Sequence, residues 1–192
     1  SDVATLRAMA RRDDGTAVLV EAKAVDDAYP LTGRLLATTD QDPARAPATA
    51  VDGRALLAAT GEGEARLFGA LVEDTLLARL GAKLGDTVTI GTGRFRLAGV
   101  ILDEPDRLSS GIGFGPRLMM SRPALEASGL LAPGSLVRWH TRLRLAPGSD
   151  PTATIAAAKT AFPAAGWDIR SRAEAAPGMK ATIDRFVQFL TL

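Results

Sequence analysis

Apolar and polar residues alternate along Val3-Ala4-Thr5-Leu6-Arg7-Ala8-Met9, stop at Arg12-Asp13-Asp14-Gly15, and resume as an extended apolar run from Thr16 to Val25. A period of two with an Asp-Gly reversal between the runs predicts a β-hairpin. Leu67 to Val72 predicts a short buried strand. Asp74 to Leu80 predicts a short helix, its start favoured by Glu73 and Asp74 and its end marked by Gly81. Thr87 to Ile90 then turns through Gly91-Thr92-Gly93 into a strand from Arg94, which alternates before becoming wholly apolar at Val100-Ile101-Leu102. Asp103-Glu104-Pro105-Asp106 predicts a turn, because Pro105 fixes φ and the carboxylates can accept nearby backbone N–H groups. A Gly-rich loop, Gly111 to Pro116, delivers Arg117 to Met120 as another strand, and Arg122 to Ala127 follows as a short helix with Ser121 as N-cap and Pro123 in its first turn.

The last third reads as β-α-β. Ser135 to Leu145 has a mostly basic parity (Arg138, His140, Arg142, Arg144) and a mostly apolar one (Val137, Trp139, Leu143). Asp150-Pro151 starts a helix that should run to about Phe162 and expose little except Lys159, and Trp167 to Arg172 should return as a strand. From Ala28 to about Phe68 structure is weakly specified, with a short helix possible over Arg54 to Ala59. The pattern as a whole is that of an α+β fold.

At the C-terminus, Met179, Ile183, Phe186, Val187 and Leu190 fall on one helical stripe, and no charge follows Arg185. Burying five such side chains is worth roughly 2 kcal/mol each, so they require cover. Two covers are open on the residues alone: a protein core, or a bilayer entered by a helix cut at Leu192. The opening strand begins after only Ser1-Asp2, so sequence is expected to continue at both ends.

Composition narrows the function classes. A chain of 192 residues can hold one domain with a real core or two small lobes, and it has no cysteine for bridges or thiolate metal sites. The 23 basic and 22 acidic residues leave a net charge of +1, too little field to recruit nucleic acid. Aromatics make up 5%, with a single Tyr, which leaves little for base stacking.

Candidate chemistry is sparse. His140 is the only histidine, so triads using another base and multi-histidine metal sites are ruled out. Asp103, Glu104 and Asp106 can be read as metal ligands or an acid/base pair, but turn chemistry accounts for them. Gly111, Gly113 and Gly115 mimic a phosphate cradle, yet Pro116 and a strand follow where a helix N-terminus is required. Ser109-Ser110 lacks the GxSxG elbow of a nucleophile. Met119, Met120 and Met179 can line a contact surface or fill a core, and Arg138, Arg142 and Arg144 can meet an acidic partner or water. No catalytic, cofactor-binding or metal-ligating residue is assigned, and no cofactor is expected.

The segments AGVILDEPDRL from Ala98, FGPRLMMS from Phe114 and GLLAPGSLVRW from Gly129 resemble the extracytoplasmic domain of FtsX-like ABC-transporter permeases of the MacB type. The similarity extends back to VDDAYPL at Val25 and LGAKLGDT at Leu80, and forward to AAPG at Ala175 and FLTL at Phe189. It implies a porter-like α/β lobe from residues 1–28 and 132–178, an inserted β-rich, Sabre-like lobe from 29–131, and a helix over 179–192 leading into a transmembrane segment. It further implies a non-catalytic domain on the periplasmic side of a bacterial inner membrane. The partners implied are a cytoplasmic ATPase subunit, a second permease copy, and a periplasmic protein or a hydrophobic or lipid-linked substrate. A standalone periplasmic module binding lipid, lipoprotein or protein is the alternative. A small hydrolase is a third reading, poorly served by one histidine.

Overall fold

The computed structural model describes residues 1–40, 48–106 and 115–172. The chain divides into two compact units, Ser1–Leu143 and Arg144–Leu192.

The first unit is built on β1 (Asp2–Arg11), β2 (Ala17–Val25), β3 (Leu36–Thr38), β4 (Ala50–Asp52), β5 (Phe68–Val72), β6 (Thr87–Ile90), β7 (Gly93–Asp103), β8 (Arg117–Ser121) and β9 (Arg138–Thr141). Among the described residues these form one mixed sheet in the order β4-β3-β7-β5-β8-β2-β1-β6, with β9 on β1. Because β6 also pairs with β7, the strands β7-β5-β8-β2-β1-β6 close into a ring. Closure satisfies the edges that an open sheet would leave bare.

Side-chain parity then separates two cores. Ala4, Leu6, Ala8, Ala10, Val20, Ala22, Ala24, Phe95, Leu97, Leu118 and Met120 share one cluster with Leu76 and Leu80 of α1 (Asp74–Leu80) and Leu125 of α2 (Arg122–Ala127). The run of alanines keeps this face shallow enough for two short helices to lie against it. Alternate residues Val3, Val25, Leu71 and Met119 form the second cluster with Tyr29, Leu35 and Leu57. Leu57 belongs to a 3-10 turn, Gly53–Leu57, in the region where a short helix was expected, started by Asp52 accepting from Arg54 N.

The elements expected from Val3 to Ala127 occur where the patterns placed them. Gly81 ends α1 at φ 60°, and Ser121 Oγ accepts from Ala124 N at the start of α2. Among the described middle strands β5 runs parallel to β7, while β3–β7, β5–β8 and β6–β7 are antiparallel. The ring draws strands from both 1–28 and 29–131.

The C-terminal expectations need correction. The strand over Ser135 to Leu145 shrinks to Arg138–Thr141, which pairs with Asp2 to Thr5 at the start of β1. In the second unit, α3 (Pro151–Ala161) starts as expected with Asp150 accepting from Thr152 N, but none of its residues is buried. Trp167 to Arg172 is not a strand. Trp167 instead lies against the Phe162 ring, centroids 5.2 Å apart, and Asp168 pairs with Arg170 at 2.6 Å, local contacts that alternation alone could not reveal. The stripe from Met179 to Leu190 lies outside the described residues, as do Ser109, Ser110, Gly111 and Gly113. No helix among the described residues is long and apolar enough to cross a membrane.

Candidate functional site

Lys23 sits in β2 between Ala22 and Ala24, on the face that carries the second core, and is fully buried. A buried ammonium must be paired to remain charged. Its Nζ lies 2.6 Å from Glu104 Oε1 and 2.6 Å from Asp106 Oδ1, and it donates to Tyr29 Oη at 3.1 Å. Tyr29 in turn donates to Asp106 Oδ1 at 2.5 Å.

Arg117, at the start of β8, extends the cluster: Nη1 reaches Glu104 Oε2 at 2.5 Å and Nη2 reaches Glu21 Oε1 at 2.8 Å. Its Nε has no acceptor among the described residues. Arg142, just beyond β9, donates to Asp106 Oδ2 at 2.5 Å. Three cations thus face three carboxylates, with Glu104 and Arg117 each only 6% exposed. The turn after β7 is thereby tied to β2, to β8 and to the end of β9.

This arrangement corrects the turn reading. Glu104 and Asp106 accept from buried side-chain cations, not merely from adjacent backbone. A signal was present, since Lys23 flanked by Ala22 and Ala24 in a strand that also carries Glu21, and an Arg heading Leu118-Met119-Met120, each call for a counter-charge if buried.

The electrostatics suit a clamp and not a proton-transfer site. For Asp106, burial acts to raise the pKa, but hydrogen bonds from Lys23 and Tyr29, the Lys23 charge and Arg142 outweigh it and bring the value down to about 2. Burial, followed by the bond to Asp106, pushes Tyr29 far up. Burial also opposes the Arg117 charge, yet Glu104 and Glu21 raise its pKa. Neither Asp106 nor Tyr29 changes protonation near neutrality, and both are already engaged. No cluster of three metal-ligating side chains occurs among the described residues.

A pH dependence follows from the sign of the Asp106 shift. A carboxylate whose folded pKa lies below its unfolded value of 3.8 adds stability above that value and loses it as pH falls through about 2. Asp106→Asn should therefore flatten the acid limb of a stability-against-pH curve between those values, removing on the order of 1–2 kcal/mol of the wild-type slope. Urea unfolding at stepped pH checks this, and identical acid limbs would contradict it.

The remaining candidates are dispersed. His140 lies on β9 with much of its side chain open to solvent; the partial loss of water around its ring, and then Arg138, Arg142 and Lys23, lower its pKa, with Asp106 opposing. Gly115 is a packing glycine: a Cβ there would meet Leu19 O at 2.6 Å. Met119 and Met120 are fully buried on opposite faces of the sheet, which settles them as core. Arg142 leaves the basic row for Asp106. Sequence reasoning also missed a cleft of about 440 Å³ beside the ends of β2 and β8, lined by Asp26, Asp27, Asp52, Arg54, Arg66 and Phe68 among others. Arg54 donates to the Asp27 carbonyl and Arg66 lies 4.9 Å from the Phe68 ring centre, so the lining is of mixed charge.

No family model matches the chain. Over 125 residues it is 34% identical to the uncharacterized ABC transporter permease YbbP of Escherichia coli strain K12, a match covering 65% of this chain and 13% of that protein. The crystal structure of the extracellular domain of the noncanonic ABC-type transporter YknZ from Gram-positive bacteria overlays 67% of this chain and 57% of that one. Its sequence identity is 14% and its TM-score 0.41, an overlap too loose to assign topology. The resemblance to ABC-transporter permeases read from the sequence is shown by the first of these matches.

Proposed function

We propose that this chain, as a relative of an ABC transporter permease, is the non-catalytic extracytoplasmic domain of a permease subunit in a bacterial inner membrane. The carrying observation is the 34% identity over 125 residues. In this reading a cytoplasmic ATPase subunit, bound through the membrane part, drives motion that the domain passes on to a hydrophobic or lipid-linked substrate, to a periplasmic partner protein or to a second permease copy.

The closed ring and the buried clamp support a mechanical role. A part that transmits displacement must deform less than its attachments, and low compressibility follows from close packing on both faces of the sheet. The clamp adds cross-ties between turn and strands that lie far apart in sequence, since Lys23 and Asp106 are separated by 83 residues.

The test uses the full-length permease with its ATPase in vesicles. A flexible Gly-rich insertion between Arg172 and Lys180 should leave ATP hydrolysis running while release of a hydrophobic or lipid-linked cargo is lost. Unchanged release, with the insertion confirmed in the membrane, would overturn the coupling role.

A further inference from the structure

Within the first unit, β9 is held by its ladder and by side chains at the surface, not by burial. All of its residues are exposed, and among the described residues it pairs with β1 alone, at Asp2 to Thr5. Thr141 Oγ1 donates to Asp2 Oδ1 at 2.7 Å, and the Arg122 guanidinium lies 4.6 Å from the centre of the Trp139 ring. Exposed ties of this kind are individually weak. A segment with few apolar contacts and solvent-exposed backbone bonds opens well below the free energy of global unfolding.

The two ends of β9 differ. Val137, just before it, packs against the first core. Arg142, just after it, donates to Asp106 Oδ2 at 2.5 Å, its own side chain 41% exposed and that of Asp106 only 9%. Parting them strands no charge, because Asp106 keeps Lys23 Nζ at 2.6 Å and the Tyr29 hydroxyl at 2.5 Å while Arg142 returns to water. The start of β1 also stays in place: it pairs with β2 from Val3 onward, and Asp2 N donates to Asp26 Oδ2 at 2.6 Å.

We infer that β9 is a strap, hinged at Val137 and latched by Arg142 on Asp106, that lifts from β1 as one unit while the ring and the Lys23, Glu104 and Arg117 pairs stay closed. Latched, the chain is held to the first unit as far as Arg142, two residues before the second unit begins at Arg144. Lifted, it is held only as far as Val137, and the freed stretch Arg138 to Arg142 adds roughly 17 Å of slack to the connection. The strap is a property of the fold's own opening and needs nothing from the transport reading.

Amide hydrogen exchange on the full chain tests this, because β1 turns alternate residues toward different neighbours. Arg142 N donates to Ser1 O at 2.8 Å and Asp26 N donates to Asp2 O at 3.2 Å, so Val3 and Thr5 bond to β9 while Ala4 and Leu6 bond to β2. The amides of Val3, Thr5, His140 and Arg142 should share one protection factor, at least roughly tenfold below those of Ala4 and Leu6. Arg142→Gln removes the charge from the latch and should lower the protection of Val3, Thr5 and His140 a further roughly fivefold, leaving Ala4 and Leu6 unchanged. Asp2 and Thr141 are opposed in the ladder without mutual backbone bonds, a spacing a disulfide can bridge, and the chain has no cysteine of its own. Asp2→Cys with Thr141→Cys, once oxidised, should raise the protection of Val3, Thr5 and His140 at least roughly tenfold over its reduced form. Equal protection on the two edges of β1, no protection or unequal protection among the β9-bonded amides, no response to Arg142→Gln or to the cross-link, or loosening of Ala4 and Leu6 by Arg142→Gln would each overturn the inference.

Discussion

Lys23→Met is expected to lower the unfolding free energy by about 3–5 kcal/mol, the range found when one partner of a buried ion pair is removed. The reason is the state of what remains. Met matches the volume of the Lys stem, so little packing is lost. Glu104 and Asp106 keep Arg117 and Arg142, but each loses a contact of 2.6 Å in a place where the lysine and the Glu104 side chain are both 1% exposed. The Tyr29 hydroxyl loses its donor as well. Urea unfolding gives the loss directly. Glu21→Gln is the comparison: the Glu21 side chain is 17% exposed, and the water that reaches it should hold the cost to about 1 kcal/mol. Lys23→Met with Glu104→Gln should cost less than the sum of the single changes, because the second replacement neutralises a carboxylate that the first has stranded. A loss below about 1 kcal/mol for Lys23→Met would show that water screens the cluster and would remove the clamp from the account.

The parts of this fold that rest on local chemistry were legible. The Asp-Gly reversal at Asp14-Gly15, the helix stop at Gly81, the cap at Ser121 and the start at Asp150-Pro151 each depend on a few neighbouring residues, and each appears where the sequence puts it. What depends on partners distant along the chain was not legible. Nothing in Arg117 to Met120 says that it lies parallel to Glu21 to Ser121's partner Val25, or that β6 reaches both β1 and β7 to close a ring. The same limit explains the errors near β9. Alternation continues to Leu145, but a strand needs a facing ladder, and alternation does not say that only Arg138 to Thr141 finds one, on Asp2 to Thr5 of β1. The clamp was half legible, because the apolar context of Lys23 and Arg117 announces buried counter-charges without saying which ones.

Gly69→Ala is the second large effect, expected to cost about 2–4 kcal/mol, at or above the usual range for an overpacked core. Gly69 lies inside β5 with the 3-10 turn laid directly across it. A Cβ built there would stand 1.8 Å from the Leu56 carbonyl oxygen and 2.9 Å from its carbon, and the Gly69 N–H already donates to Ala58 O at 3.1 Å. The obstruction is backbone, so no rotamer change relieves it. The turn must lift, taking Leu57 out of the second core, where it is 4% exposed. Gly53→Ala, in the same turn, separates this mechanism from a general intolerance of added volume. There the new Cβ would meet Leu71 Cδ1 at 2.8 Å and Leu35 Cγ at 2.9 Å, side-chain atoms that can shift where a carbonyl cannot. Urea unfolding should therefore rank Gly53→Ala well above Gly69→Ala in stability, and hydrogen exchange in Gly69→Ala should quicken at Gly69 itself as its bond to Ala58 breaks. Equal costs for the two variants, or unchanged exchange at Gly69, would mean that the turn does not rest on β5 as described.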